Sequence, residues 1–238
     1  VTVRVRRVTT TRAGGVSAPP FDTFNLGDHV GDDPAAVAAN RRRLGEATGL
    51  GDRLVWMNQV HSARVVTVDG PADSPVPDAD GLVTTTRRLG LAVVTADCVP
   101  VLLADARAGV IGAVHAGRVG ARDGVVVRAV EAMCEAGARP ADISVLLGPA
   151  VSGRNYEVPA AMAAEVEAAL PGSRTTTARG TTGLDLRAGI ARQLTGLGVT
   201  AIDVDPRCTV ADRNLFSHRR AQRDGAATGR LACLVWME

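Results

Sequence analysis

The stretch LAVVTADCVPVLLADARAGVIGAVHAG, residues 91–117, decides the fold. Its β-branched runs LAVVTAD, PVLLADA and VIGAVHA are separated by Asp, Arg and Gly, the pattern of buried strands joined by tight turns. The connector ADARAG (104–109) is too short for the helical crossover that a parallel pair requires, so the last two runs form an antiparallel hairpin. Cys98 ends one apolar run and His115 another, which brings a thiol and an imidazole to the ends of neighbouring strands.

Upstream, RLVWMNQ and ARVVTVD read as strands flanking His61, with Asn58 and Gln59 in position to orient its ring. The turn-rich DSPVPDADGLVTTT enters a further strand at Gly81. Residues 1–10 alternate like a strand and stop at Gly14 and Gly15. The loop GGVSAPPFDTFNLGDHVGDD holds Phe21, Phe24, Asn25 and His29; it is either a functional loop or a surface loop anchored by its aromatics. DDPAAVAANRRRLGEATGL carries an Asp cap, a Pro in the first turn and a Gly stop, and is a helix.

Downstream, VVVRAVEAMCEAG repeats apolar residues at helical spacing through Val126, Val130 and Met133. Gly117 and Gly120 precede that helix, and with Arg118 and Arg122 they favour an anion; a plain glycine loop accounts for them equally well. ISVLLGPAV is a strand, PAAMAAEVEAAL and LDLRAGIARQLTGLG are helices, and VTAIDVD is another strand. The C-terminal segment gathers Arg219, Arg220, Arg223 and Arg230 around a glycine-containing turn before a last apolar strand. This irregular alternation predicts an α+β fold with mixed β-sheets packed against helices, and the length allows one large domain or two small ones.

The chain has no lysine, which excludes a Schiff-base lysine and a P-loop lysine, and its net charge of +2 points to no nucleic acid partner. Cys98, Cys134, Cys208 and Cys233 form no CxxC pair and read as reduced. The opening segment lacks the apolar core of a signal peptide and no run reaches membrane-spanning length, so the expectation is a cytoplasmic protein without a membrane partner.

His61, Cys98 and His115 lie 37 and 17 positions apart, so a metal shared by them must be assembled by the tertiary fold. Two imidazoles and one thiolate leave one coordination position open, the catalytic form of a zinc site, and the set would also bind copper. Set against this, a lone histidine is usually a surface or satisfied residue and a lone cysteine in a strand is core filler, as Cys134 and Cys233 are. Asp97 needs a partner at its buried strand end, an arginine or a histidine N–H, and joins Cys98 and His115 as a catalytic candidate.

Several blocks in order carry a resemblance: GGVS (14–17), FNLGDHVGDDPAAVAANRRRL (24–44), NQVHS (58–62), DADGLVT (78–84), TADCVPV (95–101), AVHAG (113–117), GP (148–149), SHRR and TGR. The chain resembles the YfiH family, formerly described as laccase-type multicopper polyphenol oxidases and related in fold to deamidating toxins. The resemblance implies a single α+β domain over residues 1–238 and a zinc held by His61, Cys98 and His115. It also implies phosphorolysis of adenosine, inosine, guanosine or methylthioadenosine, with adenosine deaminase activity. The expected assembly is a monomer or weak homodimer. Zinc deaminases work at C6 of adenine, and phosphorolysis needs an anion pocket; Arg118, Arg219, Arg220 and Arg230 are its candidates, with Asn25 and Gln59 as further substrate contacts.

Two departures stand out. The family's HAGWRG is HAGRVG here, putting Arg118 and Val119 where tryptophan and arginine are usual, and SYRR is SHRR, with His218 for tyrosine. Four histidines are too few for a blue-copper centre plus a trinuclear cluster, so phenol oxidation would be an incidental property of a copper-substituted site. The alternatives are a cysteine hydrolase using Cys98 and His115, a peptidoglycan-precursor editing factor, or a non-enzymatic interaction protein.

Overall fold

The computed structural model describes residues 2–238; of the strand predicted over 1–10, Val1 lies outside them and Val5–Thr9 form β1. One sheet runs β1, β12 (Leu231–Met237), β5 (Gly90–Thr95) and β2 (Leu54–Val55). The other runs β11 (Ala201–Val204), β8 (Ser144–Leu147), β6 (Val99–Asp105), β7 (Val110–Ala116), β4 (Gly81–Thr84) and β3 (Val65–Thr67). Both are mixed: β2–β5, β3–β4 and β8–β11 are parallel and the remaining pairs antiparallel. The helices are α1 (Pro34–Thr48), α2 (Arg118–Arg122), α3 (Val125–Glu135), α4 (Ala160–Ala169), α5 (Leu186–Gly196) and α6 (His218–Asp224).

Period-two alternation explains the layering. Leu91 and Val93 of β5 face Leu102 and Ala104 of β6 and Ile111 and Ala113 of β7, in a core between the two sheets. Ala92 and Val94 point the other way, onto Leu44 of α1 and its flanking Leu26 and Leu50. Val101 and Leu103 pack outward on α3 and α5, through Val126, Met133 and Ile190. Strands covered on both faces read as unbroken apolar runs, which is why residues 91–116 show little polar alternation.

The predicted hairpin is present, in register from Val99↔Ala116 to Asp105↔Val110. The first two runs of the central segment are not joined by a tight turn within one sheet: Ala96, Asp97 and Cys98 carry the chain from the four-stranded to the six-stranded sheet. Asp97 makes the bend at φ 87°, a left-handed conformation that non-glycine residues seldom adopt. Helix α1 starts as expected, with Asp33 accepting the Ala35 N–H and Pro34 in the first turn, and ends at Gly49 in the left-handed conformation. Two features were not expected: α6, within the arginine-rich C-terminal segment, and a small hairpin of β9 (Arg174–Thr176) and β10 (Thr182–Leu184). Among the described residues no helix is long and apolar enough to cross a membrane, and all four cysteines are free.

Candidate metal centre

The crossing between sheets carries Cys98, and the β6–β7 pairing sets His115 opposite Pro100. His61 arrives from the bend between β2 and β3 with φ 62°. Ligand atoms of the three residues lie within 4.8 Å of one another, the one such group of three among the described residues. Cys98 Sγ is 3.7 Å from His61 Nε2, and the two imidazoles meet edge to face with centroids 4.7 Å apart.

Asp80 holds this arrangement together. Fully buried at the mouth of β4, it lies 2.8 Å from His115 Nδ1 through Oδ1, which also accepts the His61 N–H at 3.0 Å. Its Oδ2 accepts the Val60 and Ser62 N–H groups and the Ser62 hydroxyl. One carboxylate therefore fixes the His61 loop and the His115 ring, leaving His115 Nε2 for the cluster. Burial would raise the Asp80 carboxyl, but His115 and Ser62 outweigh it and hold it below the usual range.

The same opposition acts on the ligands. Burial alone would raise the Cys98 thiol, yet His115 and His61 bring it down to about 6. Burial alone would lower His115, yet the Cys98 charge and Asp80 push it up to about 9. A thiolate facing a carboxylate-oriented imidazole is the donor chemistry that a divalent zinc or copper ion takes. Gly117 leaves the room: a Cβ there would lie 2.6 Å from His61 Cδ2 and 3.2 Å from Cys98 Sγ. Donor set, orientation and cradle fit a single ion.

Two neighbouring hollows adjoin the cluster and share His61, Ala96, Cys98 and His218 in their walls; they are its two lobes. The first lobe, about 220 Å³, is walled by Val119, Val151, Tyr156 and Leu186, with Asp97, Arg118 and Arg219. The Arg219 guanidinium sits 5.1 Å from the Tyr156 ring centre and donates to the Glu157 carbonyl. The second lobe, about 250 Å³, adds His29, Gln59, Thr95, His115 and Arg230.

The other candidate residues have partners of their own. Asp97 meets neither a histidine nor an arginine side chain; its carboxylate accepts the Thr209 hydroxyl and the Arg219 backbone N–H, both at 2.6 Å, tying the start of α6 to the crossing. The Arg220 guanidinium donates to the carbonyls of Thr209, Val210, Asp212 and Leu215 and lines neither lobe, so it is a structural brace. Asn25 is buried and bonds Gly27, Asp32 and the Arg230 N–H, which makes it a scaffold for Arg230 rather than a ligand contact. Gln59 lines the second lobe, but both ends of its amide bond the backbone of Val94 at 2.8 Å, extending the edge that β2 leaves.

The glycine segment also differs from expectation. Gly117 caps α2 and Gly120 lies inside it, against the Ser62 carbonyl, so both glycines serve close approach. Arg122 turns to Asp123 and Glu165 on the surface. Asp80 carries the same sequence signal as Asp97, a carboxylate at the end of a buried strand, since DADG opens β4.

The chain is similar to known proteins over nearly its whole length. A family model described as multi-copper polyphenol oxidoreductase laccase matches residues 6–238. A purine nucleoside phosphorylase of Mycobacterium tuberculosis is 75% identical over 239 residues, covering 100% of this chain and 94% of that protein. One from Corynebacterium glutamicum is 58% identical over 236 residues, covering 98% and 94%. Among solved structures, YlmD from Geobacillus stearothermophilus superposes with TM-score 0.91 at 33% identity, over 98% of this chain and 92% of that one. A Bacillus licheniformis hypothetical protein, YfiH, gives 0.89 at 30%, over 98% and 93%.

Proposed function

The chain belongs to the laccase-like YfiH family, and from that premise we propose that it is a zinc-dependent purine nucleoside phosphorylase that also deaminates adenosine. The observation that carries this reading is a three-donor cluster adjoining two neighbouring lobes flanked by Arg118, Arg219 and Arg230. Relatives named purine nucleoside phosphorylase supply the substrate class, which we extend to adenosine, inosine, guanosine and methylthioadenosine.

In phosphorolysis a phosphate oxygen bonds to the anomeric carbon of the ribose while the glycosidic C–N bond breaks. The electron pair leaves on the purine nitrogen, which takes up a proton, giving a pentose 1-phosphate and the free base. In deamination water adds at C6 of adenine and ammonia leaves. His61, Cys98 and His115 would hold the ion, and zinc supplies Lewis acidity at an open coordination position. The rest falls to the chain's own groups: Asp80 fixes two ligands, Arg230 draws the anion, and the apolar walls beside Tyr156 exclude water. Tyr156 is pushed up by burial and by the Cys98 charge, so it keeps its hydroxyl proton at neutral pH.

A second reading is favoured by one contact. Asp80 orients His115 beside Cys98, the order of nucleophile, base and orienting carboxylate found in cysteine hydrolases. The two readings separate when zinc-analysed protein and Cys98→Ala are incubated with adenosine, with and without phosphate, and the products are resolved by chromatography. Phosphate-dependent adenine and phosphate-independent inosine, both lost in Cys98→Ala, are expected. Protein without zinc that forms neither product and is alkylated at Cys98 would favour the hydrolase.

A further inference from the structure

The two lobes differ in their polar lining and in what they leave unpaired. No carboxylate lines the second lobe, whereas Asp97 lines the first. Thr95, at the end of β5, is 1% exposed, and its hydroxyl has no partner although it lines the second lobe. An orphaned buried hydroxyl at a cavity wall is satisfied by whatever enters the cavity.

Arg230 is built to meet the same occupant. Its N–H is held by Asn25, and a Cβ on Gly27 would lie 2.6 Å from its Cγ, so the stem runs along a groove only glycine leaves. Its guanidinium donates to the Thr228 and Gly229 carbonyls through one nitrogen, Nη1, which leaves the rest of the fork for the lobe. The first lobe also carries Arg118 and Arg219, but Val119, Val151 and Leu186 line it beside Tyr156, and those apolar walls suit a flat base.

We propose that the lobe lined by Thr95 and Arg230 is the orthophosphate subsite, Arg230 supplying charge and Thr95 a hydroxyl donor, and that the purine occupies the Tyr156 lobe. The assignment rests on the phosphorolytic reading for the identity of the anion. The ribose then spans the shared wall of His61, Cys98 and His218, which sets the anomeric carbon between phosphate and base. Arg219, bound to the Glu157 carbonyl and stacked near Tyr156, serves the base rather than the anion.

The test is a calorimetric titration of the metal-loaded protein with inorganic phosphate, repeated with adenosine 5′-monophosphate, for wild type, Thr95→Val, Arg230→Gln and Arg219→Gln. Melting temperature and zinc content of each variant serve as folding controls. Phosphate affinity should fall about tenfold or more in Arg230→Gln and about three- to tenfold in Thr95→Val, and stay unchanged in Arg219→Gln. Where nucleoside is turned over, KM for phosphate should rise in the first two while KM for nucleoside holds. If Arg230→Gln fails to fold, the near-isosteric Thr95→Val decides. Loss of phosphate affinity in Arg219→Gln alone, or binding of the monophosphate without binding of inorganic phosphate, would overturn the assignment. Phosphate bound in the expected pattern by a protein that cleaves no nucleoside would refute the phosphorylase reading and leave the subsite standing.

Discussion

An aspartate stands near each end of β6, Asp105 as its last residue and Asp97 in the crossing just before Val99, and the partners of the two carboxylates differ. At the hairpin end Asp105 accepts the N–H groups of Arg107 and Ala108, with a further bond from Arg139. At the other end Asp97 bends the chain at φ 87° and reaches Thr209 and Arg219, 112 and 122 positions away. The hairpin end closes mainly on its own neighbours. The end beside Cys98 is held by distant parts of the chain and carries the unusual backbone of both Asp97 and His61. Strained backbone persists only where its surroundings over-determine it, and here that is where the metal donors converge.

The sharpest way to break this contrast is to add one methyl group at each end. Gly117→Ala should abolish stoichiometric zinc binding and lower turnover by about a hundredfold or more, because the Cβ would collide with two ligands. Gly109→Ala at the hairpin turn, at φ 69°, should cost about 1 kcal/mol of stability and leave zinc untouched. Metal analysis and melting curves on the pair check both outcomes; zinc retained in Gly117→Ala would contradict the cradle.

Asp80→Asn should weaken zinc binding about 10- to 100-fold, as loss of a group that orients ligands does. Asp105→Asn, equally buried, should cost about 1–3 kcal/mol in stability without changing zinc affinity. Chelator competition and denaturant unfolding separate the two, and similar zinc affinities would remove the distinction.

Zinc binding should also depend on pH in a defined direction. The ion takes a thiolate and a neutral imidazole, while without it Cys98 lies at about 6 and His115 at about 9. Between those values Cys98 is already ionised and His115 must lose a proton, so affinity should fall about tenfold per unit as pH drops from about 9 to about 6. Below about 6 the thiol proton must leave too and the decline steepens. A flat profile in chelator competition across that window would contradict the thiolate–imidazolium pair.

The smallest effect is expected at Asp97. Asp97→Asn keeps an acceptor for Thr209 or Arg219 and should cost about 1–2 kcal/mol of stability with zinc content unchanged and turnover lowered only a few-fold. A loss of about a hundredfold in kcat with full stability would instead make Asp97 a proton-transfer group.

What the sequence reveals follows the same division. The β6–β7 hairpin, α1 and α3 rest on local patterns, and His61, Cys98 and His115 are conspicuous by residue type and by the blocks around them. Asn25, Gln59 and Arg220 sit in equally suggestive surroundings, but a polar side chain looks the same in sequence whether it holds a ligand or a backbone carbonyl. Their partners, Arg230, Val94 and the Thr209–Leu215 carbonyls, emerge only in the fold. The role of Asp80 is hidden in the sequence because its partners, His115 and the 60–62 backbone, lie on other strands and loops. Helix α6 is short and polar, with Ala221 its one buried residue, so it carries no apolar period to read.

The central claim is that His61, Cys98 and His115 together hold one zinc. The most direct measurement is X-ray absorption at the zinc edge on the purified protein, with metal content determined on the same sample. The account predicts one zinc per chain, with one sulfur at about 2.3 Å and two imidazole nitrogens at about 2.0–2.1 Å, and loss of the sulfur in Cys98→Ala. Zinc with no sulfur neighbour, or a sulfur shell that survives Cys98→Ala, would contradict it.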